Sequence, residues 1–223
     1  MSDRKQNKAQ NSMGMPTTLS SLLETSLARH SHLCPRQVLG ARIGLAGAAA
    51  LNLAVPRTDK RLLIVIETDG CFADGLEAAT GCTIGHRTLR VEDYGKIAAT
   101  CVDVKTGRAV RIAPRLDVRE RAYACVPDEP HHYFAQLTAY QVMPDRELLS
   151  IQPVQLTTPI KAVVSRAGVR VNCDLCGEEI INEREVVHDG ATLCRSCAGQ
   201  SYYQLIADFA TTPALVTTLI EAA

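Results

Sequence analysis

The chain has 223 residues, with 24 Lys and Arg balanced by 24 Asp and Glu, so no overall field draws it to nucleic acid or to an anionic membrane. Aromatic residues make up 4% and tryptophan is absent, which leaves little for base-stacking platforms and makes the core depend on Leu, Ile, Val and Ala. At this length one sizeable domain and a small appendage are expected.

Residues 1–16 are polar and are expected to form a disordered arm, because they offer almost nothing apolar to offset ordering entropy. From Thr18, a plausible N-cap, Leu19, Leu22, Leu23 and Leu27 mark one face of a helix. A second helix is predicted from Pro35 to about Leu53, with Cys34 at its N-cap, since proline suits the first helical position. Gly40, Gly44 and Gly47 lie nearly on one side of it, which points to close packing against a sheet or against a second copy of the chain. The apolar stretch 38–55 is interrupted by Arg42, Asn52 and three glycines, so no membrane span is expected.

Leu62 to Ile66 reads as a strand buried on both faces. A short helix from Phe72 to Ala79 closes at Gly81, and Arg87 to Glu92 alternates like a strand. Ile97 to Val104 and Ala109 to Ala113 form a predicted hairpin turning at Gly107. Helical periodicity returns in 116–125 and 131–143, and 148–156 is extended. The stretch 155–170, with Pro159 and little periodicity, is the expected domain boundary. The fold class is therefore α+β, a mixed or antiparallel sheet with flanking helices, followed by a small C-terminal zinc-binding domain.

The nine cysteines are odd in number and include two Cys-x-x-Cys units, the spacing of metal sites rather than of secreted disulfide frameworks. No apolar stretch follows the polar N-terminus, and a reducing cytoplasm is the expected setting. Cys173, Cys176, Cys194 and Cys197 are candidate ligands of one structural Zn²⁺ in a closed, all-thiolate site. Between the pairs, Ile180-Ile181 and Glu185-Val186-Val187 are predicted strands of one hairpin. Cys194 is expected to open a helix carrying Tyr202, Leu205 and Ile206, which together describe a treble-clef finger over 169–210, with a tail over 211–223. Its acidic residues Glu178, Glu179, Glu183 and Glu185 argue against a phosphate-binding face.

A second candidate site collects His30, His32, Cys34, Cys71 and Cys82, each at the edge of a predicted element. The best ligands by chemistry are His32, Cys34 and Cys71, with His30 and Cys82 next and Asp69 or Asp74 orienting them. Mixed sulfur and nitrogen ligation suits a second metal ion, Zn²⁺ first, with an open position for substrate or water. A thiol at a helix N-cap also faces unpaired amides, which favours its thiolate. Tyr94 and Lys96 are candidates for lining the pocket.

These residues also carry a family resemblance. His30-x-His32-Leu33-Cys34-Pro35, Glu67-x-Asp69-x-Cys71-x-x-Asp74, Thr80-Gly81-Cys82-Thr83-x-Gly85, Asp93-Tyr94-Gly95-Lys96, Thr106-Gly107-Arg108-Ala109-Val110-Arg111 and Pro144-Asp145-x-Glu147-Leu148 resemble the E-subunit family of formylmethanofuran dehydrogenase over about residues 19–155. The resemblance implies an α+β core over 17–158, often dimeric, with an optional treble-clef finger. It also implies an operon association with molybdenum or tungsten enzymes. Arg36 stands where the family usually has glycine, and a cation there is expected to occupy an anion or substrate pocket or to favour the Cys34 thiolate.

The function expected is a cytoplasmic metal-binding accessory protein that holds or delivers a metal or cofactor for a molybdenum, tungsten or related redox enzyme. Two alternatives stay open: a zinc-dependent enzyme using an open His/Cys site for hydrolysis or thiol chemistry, and a ligand-sensing regulator with a zinc finger. A homodimer, a redox-enzyme partner and a small-molecule or metal ligand are the expected partners; nucleic acid and membrane are not.

Overall fold

The computed structural model describes residues 18–28 and 30–204. The expected arm over 1–16, the finger positions Leu205 and Ile206 and the tail over 211–223 lie outside the described residues. The chain divides into two compact units between Ile160 and Lys161.

The first unit opens with helix α1, Leu19–Leu27, whose N-cap Thr18 accepts a hydrogen bond from the Ser21 amide at 3.3 Å. Helix α2, Pro35–Ala50, starts at the Cys34 N-cap with proline in its first turn. Strand β1, Leu62–Ile66, feeds directly into helix α3, Cys71–Thr80. Then come β2, Leu89–Val91, β3, Ala99–Asp103, and β4, Ala109–Pro114. Helices α4, Val118–Cys125, α5, His132–Val142, and α6, Asp145–Leu148, lead to β5, Leu149–Val154.

The five strands form one mixed sheet in the order β2-β1-β3-β4-β5. Strand β1 runs parallel to β2, with Ile64 opposite Leu89, and antiparallel to β3, with Ile64 opposite Cys101. The remaining pairings are antiparallel. Side chains alternate across a strand, so Ile64, Cys101 and Ile112 fall on the face that joins the hydrophobic core, while Val65, Thr100 and Arg111 fall on the other.

The glycines of α2 face α3 and the sheet. A methyl group built on Gly40 would sit 2.1 Å from the Phe72 carbonyl oxygen, and one on Gly47 would sit 2.3 Å from Cys101 Sγ. In return, one on Gly75 of α3 would sit 2.0 Å from the Gln37 carbonyl oxygen. The glycine-lined side of α2 is thus consumed within the chain, and it offers no argument for a second copy.

Helix α7, Ile160–Val164, starts at the division, and the second unit contains two separate two-stranded pairs. Strand β6, Arg170–Asn172, pairs with β7, Glu179–Ile181, and β8, Val186–His188, pairs with β9, Ala191–Leu193. The hairpin expected between Ile180-Ile181 and Val186-Val187 does not form. Ile180 instead lies opposite Val171, because Asn182 and Glu183 take positive φ of 62° and 54° and turn the chain away. The expected helix after Cys194 is a single irregular turn, Ser196–Gln200, interrupted by Gly199 at φ 84°. Tyr202 lies beyond it and is almost fully exposed.

Candidate metal and thiol sites

The turn from β1 into α3 passes through Gly70, whose φ of 71° and ψ of −150° belong to a region open essentially to glycine alone. That turn makes Cys71 the first residue of α3, directly beyond the end of β1. Because α2 and α3 pack backbone to backbone through Gly40 and Gly75, their N-terminal ends lie together. Cys34 and Cys71 stand three and four residues before Gln37 and Gly75, whose backbones meet, so the two thiols lie close together at the helix starts, near enough to interact. Burial raises the Cys71 thiol above its ordinary value, the neighbouring Cys34 thiol adds to this, and the Arg36 cation partly offsets it.

The His30 ring is tied to the same first turn of α3: its Nε2 lies 2.6 Å from Asp74 Oδ2, both side chains about one-quarter exposed. Asp74 stands three residues after Cys71, on the same helix face. The structure thus brings together Cys34 with Cys71 and His30 with Asp74. His32 is exposed and meets Ser31, with 3.1 Å between its Nδ1 and the hydroxyl oxygen. Asp69 is exposed on the β1–α3 turn. Tyr94 and Lys96 reach the end of β1 by backbone, each donating its amide to the Glu67 carbonyl at 3.0 Å, while their side chains are exposed.

Cys82 does not join the cluster. It lies two residues past α3, a helix of ten residues and about 15 Å of axial rise. There its buried Sγ faces the Leu62 carbonyl at 3.5 Å, at the opposite end of β1 from Cys71. Burial raises its thiol, as it does that of the neighbouring Cys101, pushed up to about 12. Both are core thiols.

Gln37 and Tyr133, absent from the sequence-derived set, hold the loop that carries the cluster. Gln37 is fully buried; its Oε1 accepts the Cys34 amide at 2.8 Å and its Nε2 donates to Ser26 at 3.0 Å, tying α1 to the start of α2. The spacing Cys34-x-x-Gln37 follows the capping-box pattern with cysteine in place of serine, a signal that could have identified it. Tyr133, on α5, donates its hydroxyl to the Leu33 carbonyl at 3.1 Å. Burial raises the Tyr133 phenol, and the nearby Cys34 and Cys71 add to the rise while Arg36 opposes it. No local pattern announces a contact spanning a hundred residues. A groove of about 520 Å³ on the other face of the sheet, lined by Arg111, Ala113, Arg115, Ser150 and Gln152 among others, is separate from these groups.

In the second unit the four cysteines converge. One ligand atom from each of Cys173, Cys176, Cys194 and Cys197 lies within 4.8 Å of the others, and this is the one His, Cys, Asp and Glu group of three or more so arranged among the described residues. Four sulfurs at about 2.3 Å from one ion stand about 3.8 Å apart, close to the 4.0 Å between Cys176 Sγ and Cys194 Sγ. Backbone amides point at the sulfurs: Cys194 donates to Cys173 Sγ and Cys197 to Cys194 Sγ, each at 3.3 Å. Amides of Cys176 and Cys194 bring the Cys173 thiol down to about 6, while hydrogen bonding to Cys194, burial and the other thiols push Cys197 up to about 12. A divalent cation at the centre would relieve this crowding, and a four-thiolate donor set fits Zn²⁺.

Comparison with known proteins agrees with both units. Residues 29–150 match the model of the family described as FmdE, Molybdenum formylmethanofuran dehydrogenase operon. The chain belongs to the FmdE family. In this FmdE-family chain, residues 166–203 match the prokaryotic dksA/traR C4-type zinc finger. A protein of Archaeoglobus fulgidus described as a probable S-adenosyl-L-methionine-binding protein is 29% identical over 206 residues, covering 84% of this chain and 55% of its own length. The chain therefore spans about half of that relative. The crystal structure of an FmdE-like protein of the tungsten formylmethanofuran dehydrogenase type, from Syntrophus aciditrophicus, aligns with TM-score 0.54 and 22% identity over 83% of this chain and 95% of that one. That likeness is one of fold. None of the described helices is long and apolar enough to cross a membrane.

Proposed function

We propose that this FmdE-family protein is a metal-binding accessory factor. It holds a soft metal ion, Zn²⁺ first, or a metal-bearing cofactor at the Cys34–Cys71 pair and passes it to a redox enzyme of the molybdenum or tungsten type. The observation that carries this reading is the pair of neighbouring thiols at two closely packed helix starts, beside the His30–Asp74 contact. Two thiolates favour a soft ion and leave coordination positions to the cargo or the acceptor. Such a half-built shell holds an ion less firmly than the closed Cys₄ site and suits transfer. His30 is a further ligand, on giving up Asp74, and Arg36 and Tyr133 stand close enough to the pair to interact with it.

The four-cysteine unit then serves as a structural Zn²⁺ domain of treble-clef type. The rest of the proposal is a cytoplasmic homodimer whose partner is the acceptor enzyme. The description of the archaeal relative favours a second reading, in which an organic cofactor occupies the same place. Metal stoichiometry decides between them. The full chain should bind one equivalent lost on Cys173→Ser and a second, weaker equivalent lost on Cys34→Ser or Cys71→Ser, the second passing to an apo-enzyme. One equivalent alone, abolished by Cys173→Ser, would refute the metal reading; turnover of a substrate without metal loss would favour a zinc enzyme.

A further inference from the structure

The same two thiols carry a second chemistry. We propose that Cys34 and Cys71 form a reversible intramolecular disulfide, so that the site alternates between an open dithiol and a closed, metal-refusing form. The inference rests on the pair that the proposed function uses, and it follows from how the pair is built. Cys34 and Cys71 stand one helical turn before the point where the Gln37 carbonyl meets Gly75, near enough to interact, and the helix starts that carry them are held together backbone to backbone, with no side chain between Gly75 and the Gln37 carbonyl or between Gly40 and the Phe72 carbonyl. Gln37 and Tyr133 fix the incoming loop through the Cys34 amide and the Leu33 carbonyl. Bond formation therefore orders little that is not ordered already.

Access separates this pair from the other core thiols. Cys71 is partly exposed, whereas Cys82 and Cys101 are sealed at 1% and 0% exposure. Cys125 is exposed at the end of α4. The co-reactant is a small-molecule disulfide, with glutathione disulfide as the probe. The Cys71 thiolate attacks one sulfur and expels one glutathione thiolate, leaving a mixed disulfide on Cys71. The Cys34 thiolate then attacks the Cys71 sulfur and expels the second. The two protons released by the cysteines end on the two glutathione thiolates, the protein dithiol is oxidised by two electrons, and the glutathione disulfide is reduced by two.

The test takes the full chain with one equivalent of Zn²⁺, which fills the tighter four-cysteine site and leaves Cys34 and Cys71 as free thiols, treats it with glutathione disulfide, blocks remaining thiols, digests it without reduction and maps the peptides by mass. The expected product is a pair of peptides joined through Cys34 and Cys71, two hydrogens lighter than the free pair and separated by dithiothreitol, while Cys125 carries a glutathione adduct. A persistent glutathione adduct on Cys71 or Cys34 without the joined pair overturns the proposal, as does full alkylation of both thiols under conditions that modify Cys125. This readout needs no variant, so it does not depend on whether Cys34→Ser folds. Metal uptake by the reduced chain is measured apart: a cross-link without a second metal refutes the accessory reading alone, and a second metal without a cross-link refutes the disulfide alone.

Discussion

Arg111 closes both arms of its guanidinium on the Glu67 carboxylate, at 2.6 and 2.7 Å, reaching from β4 across β3 to the residue just beyond β1. The Glu67 carbonyl at the same point receives the amides of Tyr94 and Lys96. The pair thus braces the end of the strand from which Cys71 departs, and it raises the Arg111 pKa through the Glu67 bond.

Removing one partner should cost more than removing both. The Glu67 side chain is 10% exposed and that of Arg111 30%, so Arg111→Met leaves a largely buried carboxylate unpaired. A loss of about 2 kcal/mol is expected, below the range for fully buried pairs because solvent reaches the arginine. Urea unfolding of Arg111→Met, Glu67→Gln and the double variant checks this, with the double variant recovering part of the loss.

Asp103 supplies the acid-sensitive contact. The Arg61 fork at 3.0 and 2.9 Å, the Thr106 hydroxyl at 2.9 Å and the Lys105 amide at 3.0 Å hold its carboxyl well below the usual range, against the opposing effect of burial. A depressed folded-state pKa gives stability that is complete above the unfolded value of about 4 and is lost as pH falls toward the folded one. The Tm of the native chain should therefore fall as the pH drops below about 4, and that of Asp103→Asn should start lower at neutral pH and fall less steeply. Parallel Tm curves for the two proteins would contradict the assignment.

Much of this architecture is legible in the residues, because local rules and tertiary packing agree there. The run Leu62 to Ile66, the Cys34-Pro35 helix start, the Gly81 stop and the two Cys-x-x-Cys units each announce a structure that forms. What is illegible depends on partners distant in sequence. Ile180 pairs with Val171, a residue beside the stretch read as linker, because strand propensity names no partner. Cys82 shares ligand chemistry and family motif with Cys71, yet a ten-residue helix separates them. Tyr133 joins the thiol site only through tertiary packing.

The α2–α3 contact should tolerate no added carbon. Gly75→Ala would place a methyl group 2.0 Å from a backbone oxygen of the facing helix, which cannot rotate away. A cost of about 3 kcal/mol is expected, the upper end for overpacking, together with weaker cross-linking of Cys34 to Cys71. Gly85→Ala, with nothing within 4 Å of the new carbon, should stay within about 0.5 kcal/mol and serves as the control. Chemical denaturation with disulfide mapping reads both effects.

Metal removal should act on the second unit through its strands. A segment of this size buries little, with Cys173 and Ile180 its buried apolar side chains among the described residues, so ion binding supplies the folding free energy that packing does not. The short ladders β6–β7 and β8–β9 meet where Asp174 and Thr192 exchange hydrogen bonds at 2.8 and 2.7 Å, and both lead to cysteines. Chelation, or Cys173→Ser, should therefore abolish amide-exchange protection at Ile180 and Leu193 while protection in β1 and β3 persists. Because protons compete with the ion for thiolates, release should also follow acidification from pH 7, after which the same amides exchange. Native-state hydrogen exchange with and without chelator is the check, and unchanged protection at Ile180 and Leu193 would show that packing alone holds the ladders.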